Sequence, residues 1–153
     1  MSFIKFPSYS DEYGNIVFSS EGIDFRLKNE EFIGDWLKKV IEREEKQLSS
    51  LNFIFCSDEY LYNMNIEYLG HDTLTDVITF PYATLPLIEG DIFISIDRVK
   101  ENAKKFNVPF PNELYRVMVH GVLHLCGFAD KSEQEALNMR QKENDALLLM
   151  PPN

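Results

Sequence analysis

Apolar side chains recur at helical spacing in the stretch that follows Asn29. The apolar positions of this stretch are Ile33, Trp36, Leu37, Val40, Ile41 and Leu48. Such spacing places them on one face of a helix, where they can pack against a core. Asn29 can cap this helix, and Glu30 and Glu31 place carboxylates near the positive end of its dipole. The pattern therefore predicts a core helix that begins after Asn29.

Short apolar runs bounded by turn residues predict strands. They occupy residues 15–19, 23–27, 51–56, 77–80 and 90–96. A short link containing proline joins the last two runs. Because antiparallel strands can be joined by a short connection, we expect these two strands to pair antiparallel.

Cap signals predict four more helices. Ser57 can cap a helix that reaches about Leu69, and another helix is expected over residues 97–106. Asn112 can cap the apolar stretch that follows it, and Ser132 with Glu135 forms a capping-box pattern before the last helix. Strands and helices alternate irregularly, so we expect one α/β or α+β domain over residues 1–153. Its sheet would be mixed, with about four strands packed with helices.

Composition and charge narrow the possible classes of protein. Hydrophobic residues make up 44% and charged residues 26% of the 153 residues, which is typical of a soluble globular domain. No apolar run approaches the roughly 20 residues of a membrane span, and the amino terminus is too short in apolar length for a secretory signal. We therefore expect a cytoplasmic protein with no membrane contact. The net charge of −10 disfavours non-specific nucleic-acid binding, although a local basic patch is enough to bind RNA.

The apolar stretch after Asn112 carries candidate chemistry. His120 and His124 lie one helical turn apart and project from nearly the same face, so both can hold one ion. Gly127 can reverse the chain and bring Asp130 back as a third, oxygen ligand. Three protein ligands leave a position open, as in catalytic zinc sites. The alternative is that each histidine is a core residue that donates a hydrogen bond to a backbone carbonyl.

The same stretch resembles the motif H-G-x-L-H-L-x-G-[FY]-D-H of the YbeY family of metal-dependent endoribonucleases. The matching residues are His120, Gly121, Leu123, His124, Leu125, Gly127 and Phe128. Asp130 stands where the family has a third zinc-binding histidine, and Ala129 stands where it has an aspartate. The resemblance implies one zinc ion per chain, held by His120, His124 and Asp130. Another divalent metal is possible because a carboxylate replaces an imidazole.

The resemblance extends to most of the chain. It includes the loop and strand from His71 to Pro81, the strand that begins at Gly90, and Met139 and Glu143 beyond the metal loop. It implies that the loop borders the metal.

Four residues of this loop and strand are candidates for the reaction. Asp76 is the candidate catalytic residue, with Asp72 or solvent as the other possible proton acceptors, and Asp72, Thr75 and Thr79 would orient the substrate. The alternative is that Thr75 and Asp76 only hold the turn together. Leu69 follows Tyr68 where the family has an arginine expected to contact phosphate; Arg116 or the lysines of residues 100–105 could replace it.

Three functions remain open at this stage. The resemblance implies a metal-dependent endoribonuclease that cleaves single-stranded RNA in 16S rRNA maturation and ribosome quality control. Its partners would be single-stranded rRNA of the small subunit and ribosome-associated proteins. The second possibility is a non-catalytic ribosome-biogenesis factor with a structural metal. The third is a metal-dependent hydrolase of another substrate; a peptidase is disfavoured because Gly121 replaces the glutamate of the His-Glu-x-x-His motif.

Overall fold

A computed structural model describes residues 14–151 and confirms an α+β fold with a mixed sheet of four strands. The strands are β1 (Asn15–Glu21), β2 (Gln47–Cys56), β3 (Val77–Pro81) and β4 (Leu87–Ser95). The α-helices are α1 (Glu30–Arg43), α2 (Asp58–Met64), α3 (Ile96–Phe106), α4 (Phe110–Leu125) and α5 (Glu133–Leu148). A π-helical turn, Asn65–Leu69, continues α2 without a break. None of the helices in this part of the chain is both long and apolar enough to span a bilayer.

The strand order is β1-β2-β4-β3, so β3 lies at one edge of the sheet. β1 pairs with β2 and β2 with β4 in parallel, while β3 and β4 form the expected antiparallel pair. Parallel neighbours need a crossover connection, and α1 supplies the one between β1 and β2. Among residues 14–151, no strand pairs with the other side of β3.

The main core lies between one face of the sheet and the helices α1, α4 and α5. Phe53 and Ile92 are neighbours on β2 and β4, and both are fully buried. Trp36 of α1 is also fully buried, and its Nε1 donates a hydrogen bond of 2.8 Å to the Ala146 carbonyl oxygen of α5. The indole therefore links α1 to α5 through a hydrogen bond that satisfies its buried N–H group.

Two glycines let α4 and the sheet approach each other closely. A Cβ atom added to Gly121 would lie 2.9 Å from Cγ2 of Ile92 and 3.5 Å from Cγ2 of Thr79. A Cβ atom added to Gly90 would lie 2.5 Å from the carbonyl oxygen of Phe80. Since real Cβ atoms do not approach so closely, glycine at both positions seats α4 directly over β3 and β4. His120 and His124 are thereby placed beside the edge strand.

The predicted strand over residues 23–27 is wrong. Gly22 has a φ of +71° and turns the chain away at the end of β1, so the segment crosses the end of the sheet. Its apolar side chains are still used: the Phe25 ring packs edge-on against Phe55 and against Phe110. The apolar run therefore reflects core packing rather than strand pairing.

Two helix boundaries and one capping contact differ from the expected ones. The first helix ends at Arg43, and Leu48 lies in β2 rather than on the helix. Asn29 occupies the N-cap position in a left-handed conformation, but its side chain makes no capping hydrogen bond. Pro109, not Asn112, is the N-cap residue of α4. The capping box of Ser132 and Glu135 is confirmed at the start of α5.

Candidate metal centre

The two histidines of α4 converge on one carboxylate. His120 and His124 lie one turn apart, with their rings edge to face and the ring centroids 4.5 Å apart. Oδ2 of Asp130 is 3.2 Å from Nε2 of His120 and 3.3 Å from Nε2 of His124. One ligand atom from each of the three residues lies within 4.8 Å of the others, a group able to hold a metal ion.

The turn after α4 brings Asp130 back toward the helix. Gly127 has a φ of +104°, which is costly for a residue with a side chain. Its N–H donates to the His124 carbonyl oxygen at 2.9 Å, and the N–H of Phe128 donates to the Leu123 carbonyl oxygen at 3.1 Å. These two bonds form a Schellman motif, which ends the helix and reverses the chain. The expected role of Gly127 as the helix stop is confirmed.

Both imidazoles are oriented through their second nitrogen. Nδ1 of His120 lies 2.6 Å from Oε2 of Glu143, and Nδ1 of His124 lies 2.8 Å from the carbonyl oxygen of Phe128. Carbonyl and carboxylate oxygens are acceptors, so each Nδ1 carries the proton and donates it. Each Nε2 then keeps its lone pair for a ligand. Metal-binding histidines in proteins have this arrangement almost without exception.

The separations of the ligand atoms fit a bound ion better than direct hydrogen bonds. Ligands at 2.0 to 2.1 Å from a tetrahedral zinc ion lie about 3.4 Å from each other. The two Nε2 to Oδ2 distances in the group are 3.2 and 3.3 Å. A charge-assisted hydrogen bond between imidazolium and carboxylate is shorter, at roughly 2.7 to 2.9 Å. The donor set of two nitrogens and one oxygen also suits zinc and related divalent metals.

Glu143 is the functional residue whose role sequence reasoning missed. It is buried on α5, and Arg116 of α4 donates to its Oε1 at 2.8 Å. Burial raises the pKa of Glu143, but hydrogen bonds from His120 and Arg116 outweigh it, so the net pKa lies below its usual value. For His120, burial lowers the pKa, but the hydrogen bond to Glu143 and the charges of Glu143, Asp130 and Asp76 together outweigh it, so the net pKa lies above its usual value. Glu143 is therefore an anion that holds the imidazole in place.

A signal for Glu143 was present in the sequence. On α5 the buried positions are Met139, Glu143 and Ala146, so a carboxylate occupies the apolar face of this helix. A buried carboxylate needs a partner. The sequence does not show which helix faces α5, so the partner His120 could not be identified from it. Arg116, considered as a phosphate contact, instead binds Glu143 and the Asn144 side chain.

The predicted catalytic Asp76 lies near this centre. Its pKa is raised by burial, while the nearby His120 acts in the opposite direction and Glu143 adds to the rise. Asn102 of α3 donates to its Oδ2 at 3.4 Å, and its backbone carbonyl accepts from Ser95 at 2.9 Å. The backbone of Asp76 thus helps to hold the turn. Its half-buried carboxylate is close enough to His120 for the two charges to interact.

The three predicted substrate-binding residues have different surroundings. The Thr79 side chain faces Gly121, the neighbour of His120. The Thr75 hydroxyl donates to the Val77 carbonyl at 3.4 Å, a contact within the turn. Asp72 is exposed and accepts a hydrogen bond from the Tyr62 hydroxyl. Thr79 is the closest of the three to the histidine helix in these contacts.

Other ligand candidates lie outside the group. Burial raises the pKa of the Cys126 thiol to about 11, so the sulfur stays protonated and is a poor ligand. His71 is exposed and does not belong to the group formed by His120, His124 and Asp130. His71 can therefore serve as a matched control in experiments on the metal.

Comparison with known proteins identifies the family. Residues 15–150 match the family Endoribonuclease YbeY. The chain belongs to the YbeY family. An Endoribonuclease YbeY from Flavobacterium johnsoniae is 52% identical over 126 residues, which cover 82% of this chain and 91% of the relative. One from Christiangramia forsetii is 49% identical over 138 residues, covering 90% of this chain and 96% of the relative.

The fold comparison agrees with YbeY membership. The solution structure of TM1509 from Thermotoga maritima matches with a TM-score of 0.63 and 27% sequence identity. The match covers 88% of each chain. The shared fold thus covers most of this YbeY chain.

Proposed function

We propose that this chain is a metal-dependent endoribonuclease that cleaves single-stranded RNA. The carrying observation is the convergence of both Nε2 atoms on Asp130 while both Nδ1 atoms are held by oxygen acceptors. The metal is zinc, one ion per chain, on His120, His124 and Asp130. The relatives of this chain carry the name Endoribonuclease YbeY, which supports RNA as the substrate.

When bound, the divalent ion supplies a Lewis acid that can polarise a phosphoryl oxygen and make water a better nucleophile. The protein contributes position and proton transfer. Glu143 and the Phe128 carbonyl fix the two imidazoles. Thr79 and Asp72 are proposed to orient the RNA from the edge of the sheet and from the preceding loop, and Thr75 to hold the loop in shape.

Asp76 is proposed as the proton acceptor. Position 121, which carries the catalytic glutamate in His-Glu-x-x-His peptidases, is a glycine packed against Ile92. A base must therefore come from another element, and burial raises the pKa of Asp76 toward the range useful in catalysis. Asp76→Asn should reduce the rate of RNA cleavage by roughly 10²- to 10⁴-fold. Zinc content measured on the same sample should not change; loss of zinc would assign Asp76 to metal binding instead.

Removal of one histidine tests the activity. In His124→Ala, cleavage of a single-stranded rRNA fragment should fall to background because two protein ligands do not retain the ion. His71→Ala removes an exposed histidine outside the group and should cleave like the wild type. Equal residual cleavage in both variants would place the activity elsewhere or in a contaminant.

The proposed biological setting is the maturation of 16S rRNA and ribosome quality control in the cytoplasm. The small ribosomal subunit and its associated proteins would be the partners. Co-sedimentation with small subunits that carry unprocessed 16S rRNA tests this setting. Binding to such particles above the level seen with mature subunits is expected, and equal binding to both would argue against a role in maturation.

A further inference from the structure

The segment that carries the edge strand β3 contains no basic residue. From Gln47 to Asp97 the sequence contains no lysine or arginine, and this segment forms β2, α2, β3 and β4. Affinity for nucleic-acid backbones depends on lysine and arginine that neutralise phosphates. RNA that crosses this side of the molecule must therefore be held by contacts other than ion pairs.

The same segment is rich in exposed apolar side chains. The large ones are Tyr60, Ile66, Tyr68, Leu69, Leu74, Tyr82 and Leu85. Most of them lie on the π-helical turn and on the two chain segments that flank the edge strand β3. Tyr68 stands out because 63% of its surface is exposed. An aromatic ring of this kind offers a flat surface without charge.

Tyr68 is fixed in place by other rings. Its ring meets Phe80 of β3 edge to face at 6.0 Å between centroids, and Phe80 meets Phe93 of β4 in the same way at 5.8 Å. Phe93 in turn stacks on Tyr60 of α2 at 6.4 Å. A ring that is held before binding loses little conformational freedom when a ligand stacks on it. The π-helical turn that presents Tyr68 is also a rare element, frequently found at functional sites.

The edge strand connects Tyr68 with the metal centre. Thr79 faces Gly121, next to His120, while the adjacent residue Phe80 faces the opposite side of the sheet and contacts Tyr68. Neighbouring Cα atoms are only about 3.8 Å apart. The histidine helix and the Tyr68 ring thus flank the same edge strand on opposite faces, and a single strand of RNA that passes over this edge can contact both.

We propose that Tyr68 is a stacking surface for one unpaired base of the RNA, next to the phosphodiester held at the metal centre. Bases stack on aromatic side chains without regard to sequence, and only unpaired bases have a free face. Glu67 and Asp72, which are close to Tyr68 in the sequence, are exposed carboxylates that would repel phosphates rather than bind them. This stacking surface selects single strands, because only their bases are free to stack on the Tyr68 ring. The inference rests on the proposed endoribonuclease function.

Substitution of the ring tests this proposal. Tyr68→Ala should weaken binding of a labelled single-stranded oligoribonucleotide by about 5-fold or more, and Tyr68→Phe should bind like the wild type. Binding is measured by fluorescence anisotropy in a His124→Ala background, so that the RNA is not cleaved. In metal-loaded protein with His124 intact, Tyr68→Ala should raise KM more than it lowers kcat. Phe106→Ala, which removes an aromatic ring of similar exposure on α3, is the matched control and should change neither value.

A modified RNA gives a second measurement that does not depend on protein stability. In the same His124→Ala background, one abasic position, moved along the oligonucleotide, should weaken binding to the protein with Tyr68 intact at one site near the bond that the wild type cleaves. The same change should have no further effect on Tyr68→Ala. Unchanged binding by Tyr68→Ala, or equal sensitivity of both proteins to the abasic position, would overturn the platform. RNA cleaved by the wild type in that case leaves the endoribonuclease function intact, whereas RNA neither bound nor cleaved removes both proposals.

Discussion

At the scale of single residues, two hydrogen bonds bear on how well the candidate centre can hold an ion: Arg116 donates to Glu143, and His120 donates to Glu143. Arg116 neutralises the buried carboxylate of Glu143, which accepts the Nδ1 proton of His120 at 2.6 Å. A carboxylate behind a metal-binding histidine fixes its ring and makes it a stronger donor. We infer that Glu143 positions His120 without touching the substrate.

Glu143→Gln should lower zinc affinity by about 10- to 100-fold, because the amide is a weaker acceptor and leaves Arg116 without its charge partner. Competition with a chromogenic chelator measures the affinity. Glu133→Gln changes an exposed carboxylate on the same helix and is the control. Equal zinc affinity in all three proteins would contradict a positioning role for Glu143.

The burial of Asp76 should make the stability of the protein depend on pH. Because burial raises its pKa in the folded protein, the folded state holds this proton more tightly than the unfolded state. Ionisation of the carboxyl therefore lowers the stability of the folded state as the pH rises above 3.8, the usual pKa of an aspartate side chain. In metal-free protein, Asp76→Asn should be more stable than the wild type at pH 7, and the difference should disappear at acidic pH. Urea denaturation at several pH values measures it; a pH-independent difference would contradict the assigned cause.

At the scale of elements, the place of the two histidines beside β3 depends on the close packing of α4, β3 and β4. Gly90→Ala would place a Cβ atom 2.5 Å from the backbone oxygen of Phe80 on β3 and 3.3 Å from Cδ1 of Leu125 on α4, so these elements must shift. We expect a loss of roughly 1 to 3 kcal/mol in the free energy of unfolding. Gly34→Ala in α1 is the control, since no atom lies within 4 Å of the added Cβ. It should stabilise the protein by about 0.5 to 1 kcal/mol, because alanine favours a helix more than glycine. Equal effects in chemical denaturation would contradict the close packing.

The elements also show what local sequence can predict. The capping box at Ser132 and the antiparallel pair of β3 and β4 depend on nearby residues, and both are confirmed. The segment 23–27 has strand composition, but Gly22 directs it across the end of the sheet. Leu48 continues the helical spacing of α1, yet the chain has already left the helix at Glu44. Composition indicates burial at these positions, whereas the direction of the chain is decided by single backbone conformations.

At the scale of the whole molecule, the contacts between distant segments lie beyond sequence reasoning. The candidate ligands His120, His124 and Asp130 lie within a stretch of eleven residues, so one helix and one turn are enough to predict their convergence. The contact of His120 with Glu143 depends on the packing of α4 against α5. The contacts of the Tyr68 ring with Phe80, and of Phe80 with Phe93, depend on the order of the strands. Neither arrangement follows from spacing.

The charge of the whole molecule leads to a further prediction. With a net charge of −10 and no basic residue from Gln47 to Asp97, few phosphates can be neutralised near the edge strand. For single strands, the logarithm of the binding constant falls with the logarithm of salt concentration with a slope of about −0.7 per phosphate neutralised. We expect a shallow slope, of about −2 or weaker, in anisotropy titrations with a single-stranded oligoribonucleotide. A steep slope would show that phosphate contacts dominate.

The central claim is that an ion on His120, His124 and Asp130 makes this protein an endoribonuclease. The most direct test measures zinc per chain by mass spectrometry and cleavage of single-stranded rRNA on the same wild-type sample, before chelation, after chelation and after zinc is restored. We expect one zinc ion per chain, with cleavage that disappears and returns with the ion. Cleavage that persists in protein shown to be metal-free, or a full complement of zinc with no cleavage, would contradict the claim.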